Sequence, residues 1–218
     1  MNLASSKSNI KMIIFDFDGT LIKSTVSLEL AKKLGFYKEM KKLQEKVLAR
    51  EIELEKGLKI AYDYFKGYKY NIIINYAKEV EWLKGVNKTI EALKSKGYIL
   101  AVISIGTPEN IIRDLTNYKG LNFDYIFGNK ISVENGIITN YITGELMNVR
   151  SKMSVLRKLL SGTSIRPENC AAVADDIFNI PLFKLVSFRI AINAQEPLKK
   201  FADVVIETDD LREILPYF

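Results

Sequence analysis

The chain is 218 residues long, enough for one or two domains, and carries a net charge of +6 with no histidine and one cysteine. Those counts exclude Ser-His-Asp triads, His-ligated zinc, an internal disulfide and a cysteine-rich metal cluster. Neither a GxGxxG dinucleotide loop nor a GxxxxGK phosphate loop can be placed on its glycines, so chemistry is left to carboxylates, lysines, hydroxyls, backbone amides and a metal held by oxygen.

The first residues, MNLASSKSN, lack the apolar stretch of a signal peptide, and no apolar run has the length of a membrane helix. A cytoplasmic chain with no membrane partner is expected. Lysines alternate with glutamates, as in KKLGFYKEMKKLQEK, which reads as solvated helix surface and gives no ground for a nucleic-acid partner beyond the net charge.

Residues 12–17 (MIIFDF) form an apolar run closing in acids, a buried strand with carboxylates at its C-terminal end. Over residues 22–82 the apolar spacing changes to three and four, as in Leu28, Leu30, Ala31 and Leu34, then Leu54, Leu58, Ala61 and Phe65, which predicts helices. A further helix follows Gly85 and closes at Gly97. Residues 98–104 (YILAVIS) are a second buried strand. The segment GTPENIIRDLTN opens the next helix, with Thr107 as its cap and Pro108 in its first turn. Residues 125–128 are a short strand, and residues 130–146 alternate around Asn135-Gly136, a hairpin signal. Residues 152–160 are helical. Residues 170–175 (CAAVAD), 187–193 and 202–206 complete the strands.

Strands separated by helices predict an α/β fold, a parallel sheet with helices on both faces. The insert after the first strand is too long for a simple crossover. Residues 23–84 are therefore expected to form a small helical cap domain, with residues 1–22 and 85–218 as the α/β core. The cap aromatics Phe36, Tyr62, Tyr64, Phe65, Tyr68, Tyr70 and Tyr76 are expected to be mostly core, with one or two lining a pocket.

Ligands of open parallel sheets bind at the carboxyl ends of the strands, and three chemical signals fall there. Asp16 and Asp18, two residues apart in DFDGT, are placed side by side, and Gly19 permits a tight turn. Ser104-Ile105-Gly106-Thr107 puts a hydroxyl and a glycine turn before a helix, which suits phosphate. Asp175-Asp176 ends another strand. Carboxylates from two strands make an all-oxygen site that favours magnesium over zinc. Each signal taken singly is also what a turn or a helix cap looks like. All three at the ends of neighbouring strands is harder to explain that way.

The ordered set resembles the haloacid dehalogenase superfamily of phosphatases over essentially the whole chain. DxDGT is similar to its first motif, Ser104 to its second, Lys152 in RSKMSVLRKLL to its third, and VADDIFNIPLF to its fourth. The tail ADVVIETDDLREILPYF, the hairpin and the helical insert are similar to those of archaeal phosphoserine phosphatases. The resemblance implies a Rossmann-like sheet with a cap and a Mg²⁺-dependent phosphomonoesterase acting on a small-molecule phosphate ester, as a monomer or homodimer. It implies Asp16 as nucleophile and Asp18 as acid and base. Ser104, Gly106 and Lys152 would bind phosphate. Mg²⁺ would be held by Asp16, the backbone carbonyl of Asp18 and Asp175.

The sequence departs from that pattern where substrate is recognised. Thr25 stands where phosphoserine phosphatases carry a glutamate, and an arginine is missing around Ala61, Arg50 aligning poorly with it. Phe178 and Asn179 replace the usual Asn-Asp pair of the fourth motif, so Asp176 or Asn179 is left to support the metal. Phosphoserine is therefore not the expected substrate. Alternatives are a phosphomutase and a catalytically weak phosphate-binding regulatory module.

Overall fold

The computed structural model describes residues 9–218. Residues 1–8 lie outside it, and with them most of the segment read above for targeting signals. Among the described residues, no helix is long and apolar enough to cross a membrane.

Six short apolar strands form one parallel sheet. They are β1 (Met12–Phe15), β2 (Ile99–Ile103), β3 (Tyr125–Phe127), β6 (Cys170–Ala174), β7 (Phe188–Ile192) and β8 (Val204–Ile206), in the spatial order β3-β2-β1-β6-β7-β8. All residues of β1 and β6 are buried, as strands covered on both faces must be. The chain steps outward from β1 through β2 to β3, then returns to β6 on the other side. The order thus reverses between β1 and β6, where α/β sheets open a crevice at their carboxyl ends. Phe15 pairs with Val102 on one side and Val173 on the other. That register sets Asp16, Ser104 and Asp175 at the tips of three adjacent strands.

Between β1 and β2 lie five helices: α1 (Val26–Leu34), α2 (Tyr37–Leu48), α3 (Leu54–Asp63), α4 (Tyr70–Ala77) and α5 (Val86–Ser95). Thr25 caps α1 by accepting from the Leu28 N–H. The first four helices pack on one another through Leu30, Met40, Leu43, Leu58 and Ile73. Phe65 is buried and Phe36 stacks on Tyr64 at 4.9 Å, whereas Tyr64 itself is exposed. Phe17, buried beneath the entry to the insert, meets Trp82 edge-on at 5.6 Å.

The predicted hairpin is β4 (Lys130–Glu134) with β5 (Ile137–Thr143). Its turn has Asn135 at φ 50° and Gly136 at φ 77°, the backbone that Asn-Gly supplies at little cost. The hairpin is tied to the helical insert by backbone bonds from Gly67 N–H to Ile138, Ile138 N–H to Tyr68 and Tyr70 N–H to Gly136. The remaining helices are α6 (Glu109–Lys119), α7 (Ser151–Ser161), α8 (Ile180–Phe183) and α9 (Glu196–Lys199).

One local expectation is corrected. Thr107 does not cap α6. Pro108 occupies the cap position without a side-chain bond, and the Glu109 N–H is satisfied by the Asn129 carbonyl at 2.7 Å. The Thr107 hydroxyl is directed elsewhere, to an acid.

Candidate active site

Four acids with different surroundings gather at the carboxyl ends of two neighbouring strands, Asp16 and Asp18 after β1 and Asp175 and Asp176 after β6. The Asp16 carboxylate is held at three points. Oδ1 accepts the Phe17 N–H at 2.7 Å, and Oδ2 accepts both Lys152 Nζ and Asn179 Nδ2, each at 2.5 Å. Lys152 Nζ also donates to Asn179 Oδ1 at 2.8 Å, and Asn179 Nδ2 reaches Asp176 Oδ1 at 2.7 Å. Lys152 is 1% exposed and Asn179 fully buried, so this is a buried network, in which charge-assisted hydrogen bonds are strong. Both candidates for the altered fourth motif therefore belong to it: Asn179 grips the Asp16–Lys152 pair and Asp176 extends it.

Asp18 accepts from the Val26 N–H at 2.9 Å and from the Thr107 hydroxyl. Burial pushes its carboxyl up to about 6, opposing those two donors, and the Asp16 charge adds to the rise. Burial likewise raises Asp176 to about 7, with Asp16 again contributing, and lifts Asp175 well above the carboxylate range with help from Asp176. Asp175 is oriented by the buried Thr20 hydroxyl, which donates to Oδ1 at 3.0 Å. Gly19, at φ +70°, is required here: a Cβ on it would stand 2.0 Å from Asp175 Oδ2.

A cavity of about 180 Å³ opens over these groups, with Asp16, Asp18, Gly106, Lys152, Asp175 and Asp176 on its floor. Ser104 is not on its wall. It is 1% exposed, one layer behind Gly106, and its Oγ accepts the Thr107 N–H at 3.2 Å. Gly106 lies against Asp18, a Cβ there falling 2.8 Å from Asp18 Oδ2. Helices α2 and α3 roof the cavity. The Tyr62 hydroxyl donates to the Gly106 carbonyl, joining α3 to the loop after β2. Burial, with the nearby Asp18 charge, lifts the Tyr62 phenol well above its ordinary range. Of the cap aromatics named from the sequence, Tyr62 is the one on the cavity wall.

Sequence reasoning gave no role to Thr20 or Gln44, took Thr107 for a helix cap and placed Tyr62 only among the cap aromatics. Thr20 sits inside the DFDGT signature and could have been read from it. The other three are brought in by contacts across helices that no spacing rule encodes.

The donors fit a hard divalent cation. All are oxygens, and Asp175 Oδ2 and Asp176 Oδ2 accept no hydrogen bond from the described residues. The raised acids mark an excess of buried negative charge that a cation would relieve. Among the described residues, no three Asp, Glu or Cys side chains converge into a ready-made cage. The expected set needs two carboxylates and one backbone carbonyl.

Comparisons with known proteins show what the chain is similar to. The profile of the haloacid dehalogenase-like hydrolases matches residues 13–183. The chain is 32% identical over 207 residues to a phosphoserine phosphatase of Methanocaldococcus jannaschii, covering 95% of this chain and 97% of that one. It is 30% identical to a phosphoserine phosphatase of Archaeoglobus fulgidus, over 92% of this chain but 58% of the relative's length. Among solved structures, a substrate-bound phosphoserine phosphatase superposes with a TM-score of 0.86 at 32% identity, covering 96% of this chain and 98% of the other. A phospho-aspartyl intermediate analogue of phosphoserine phosphatase gives the same score and identity over 96% and 99% of the two chains.

Proposed function

This chain belongs to the haloacid dehalogenase-like hydrolase family, and from that premise we propose that it is a divalent-metal-dependent phosphomonoesterase working through a phosphorylated Asp16. The observation that carries the proposal is the buried Asp16–Lys152–Asn179 network beside a separately held Asp18, whose carboxyl burial raises to about 6.

Lys152 and Asn179 fix the Asp16 carboxylate so that it meets the phosphorus of a bound ester without reorganising. Asp16 oxygen forms a bond to phosphorus as the bond to the leaving oxygen breaks. Asp18, whose carboxyl sits at about 6, gives that oxygen its proton and releases a neutral alcohol. A water then attacks the phosphorus, gives its proton to Asp18, and the Asp16–phosphate bond breaks to free inorganic phosphate. Atoms balance as ester plus water to alcohol plus phosphate, and Asp18 ends protonated as it began. Lys152 offsets charge on the transferring group. The Gly106 segment and the hydroxyl of Ser104 behind it shape the phosphate cradle.

Asp16, the Asp18 carbonyl and Asp175 would hold Mg²⁺, with Asp176 and Asn179 in support. When bound, the ion neutralises charge shared between the phosphate and these carboxylates. The roof formed by residues 23–84 would keep water out until the phosphoenzyme exists. The substrate is accordingly a small phosphate ester.

Phosphate release from p-nitrophenyl phosphate and a panel of small esters, with Mg²⁺ or EDTA, tests the proposal. Release that needs Mg²⁺ and disappears in Asp16→Asn is the expected result. Undiminished release from Asp16→Asn would overturn it.

A further inference from the structure

The roof of the cavity carries no charge. Its apolar wall is made by Leu43, Val47, Leu48, Leu54, Leu58 and Ala61 of α2 and α3. Set into that wall is one neutral polar cluster. Gln44 Nε2 donates to Thr25 Oγ1 and Ser27 Oγ, each at 3.0 Å, and the two hydroxyls lie 3.2 Å apart. Gln44 Oε1 has no donor among the described residues, and all three side chains line the cavity. Lys152 is the one cationic side chain on the cavity, and its ammonium is already committed to Asp16 and Asn179. Arg50 is exposed and is not on the wall.

We infer that the site takes phosphate monoesters of small uncharged alcohols with apolar carbon and a free hydroxyl or carbonyl, and rejects esters that carry a carboxylate and an ammonium. This rests on the phosphatase reading above. The phosphate end of any substrate meets Lys152 and the acidic floor, so discrimination falls to the roof. A carboxylate placed against six aliphatic side chains loses its water and gains no cation, and buried charge without a partner is strongly unfavourable. A neutral hydroxyl loses little, because Gln44 Oε1 accepts its proton and, of the hydrogen-bonded Thr25–Ser27 pair, the hydroxyl that does not donate to the other offers its hydrogen to the oxygen. The Gln44 cluster thus becomes the specificity element, and the aliphatic wall selects against charge.

The test compares three esters of similar size and leaving oxygen on the wild-type protein with Mg²⁺: propyl phosphate, 3-hydroxypropyl phosphate and phosphoserine. The expected result is that 3-hydroxypropyl phosphate exceeds phosphoserine by about 100-fold or more in kcat/KM, the scale set by an unpaired buried charge. Gln44→Leu lowers kcat/KM for the hydroxylated ester by about 10-fold more than for propyl phosphate, as loss of one neutral hydrogen bond does. Ala61→Arg, which puts a cation in the wall, narrows the preference over phosphoserine by at least about 10-fold. Phosphoserine hydrolysed as well as the neutral esters would overturn this inference and leave the phosphatase standing. Hydrolysis of none of these esters, nor of p-nitrophenyl phosphate, would overturn both.

Discussion

The Thr107 hydroxyl lies 2.9 and 2.8 Å from the two carboxylate oxygens of Asp18, so a residue from the loop after β2 holds the acid that follows β1. One O–H shared between both oxygens stabilises the ionised form and fixes the carboxyl plane. Thr107→Val should raise the Asp18 carboxyl further above about 6, because burial is then opposed only by the Val26 N–H and the Lys152 charge. The high-pH limb of kcat/KM, where Asp18 loses the proton it gives to the leaving oxygen, should move up by roughly one unit, since a hydrogen bond to a charged group is worth about 1.5–3 kcal/mol and one unit is about 1.4. Thr107→Ser should restore the profile. An unchanged profile in Thr107→Val would show that the hydroxyl does not govern Asp18.

Lys152 is the counter-charge to Asp16, and both are buried. Lys152→Met leaves the carboxylate with Asn179 and one backbone amide. It should cost about 3–5 kcal/mol of stability and turnover with it, as breaking a buried pair does. The double variant Lys152→Met with Asp16→Leu should recover part of the stability and none of the activity. Denaturant unfolding of the single and double variants reads the difference.

Stability of the metal-free protein should fall as pH rises. In the fold Asp18 sits at about 6 and Asp176 at about 7, both raised chiefly by burial from 3.8. Between those values the folded state binds more protons than the unfolded one, so raising pH favours unfolding. In EDTA the melting temperature should drop from about pH 5 to about pH 7.5, and Mg²⁺ added at the higher pH should reverse it by binding the folded state. Asp176→Asn should flatten the slope. A melting temperature that climbs over this window in EDTA would contradict the reading of the acidic floor.

Gly19 is fixed by its neighbour as much as by its backbone. At φ +70° a side chain is strained by about 1–2 kcal/mol, and its Cβ would press 2.0 Å from Asp175 Oδ2. Gly19→Ala should fold, weaken the response to Mg²⁺ and lower kcat by about 100-fold or more, the scale of losses caused by misplacing a catalytic group. Mg²⁺ titration of activity and of melting temperature would separate the two effects.

The strand tips were legible from the sequence because buried parallel strands read as unbroken apolar runs and acids interrupt them conspicuously. β1 and β6 lie where MIIF and CAAVA predict, each ending just before its acid. Lys152 was legible only through resemblance, since a lysine opening a helix looks like any surface lysine until the fold buries it to 1% exposure. Thr107 was misread for a definite reason. A threonine before a proline and an acid is what a helix cap looks like, and only the approach of Asp18 from 89 residues away redirects its hydroxyl. The Gln44–Thr25–Ser27 cluster and the Tyr62–Gly106 bond are likewise products of helix packing, which hydrophobic periodicity locates but does not align side chain by side chain.

The central claim is that Asp16 carries the phosphoryl group during turnover. The most direct measurement is acid quenching during hydrolysis of an ester, followed by reduction with tritium-labelled borohydride, which displaces the phosphate from an aspartyl phosphate, and peptide mapping. The account expects label on the peptide holding Asp16, converted to homoserine at that position, and none in Asp16→Asn. Turnover with no label on any peptide, or with label on a residue other than Asp16, would contradict it.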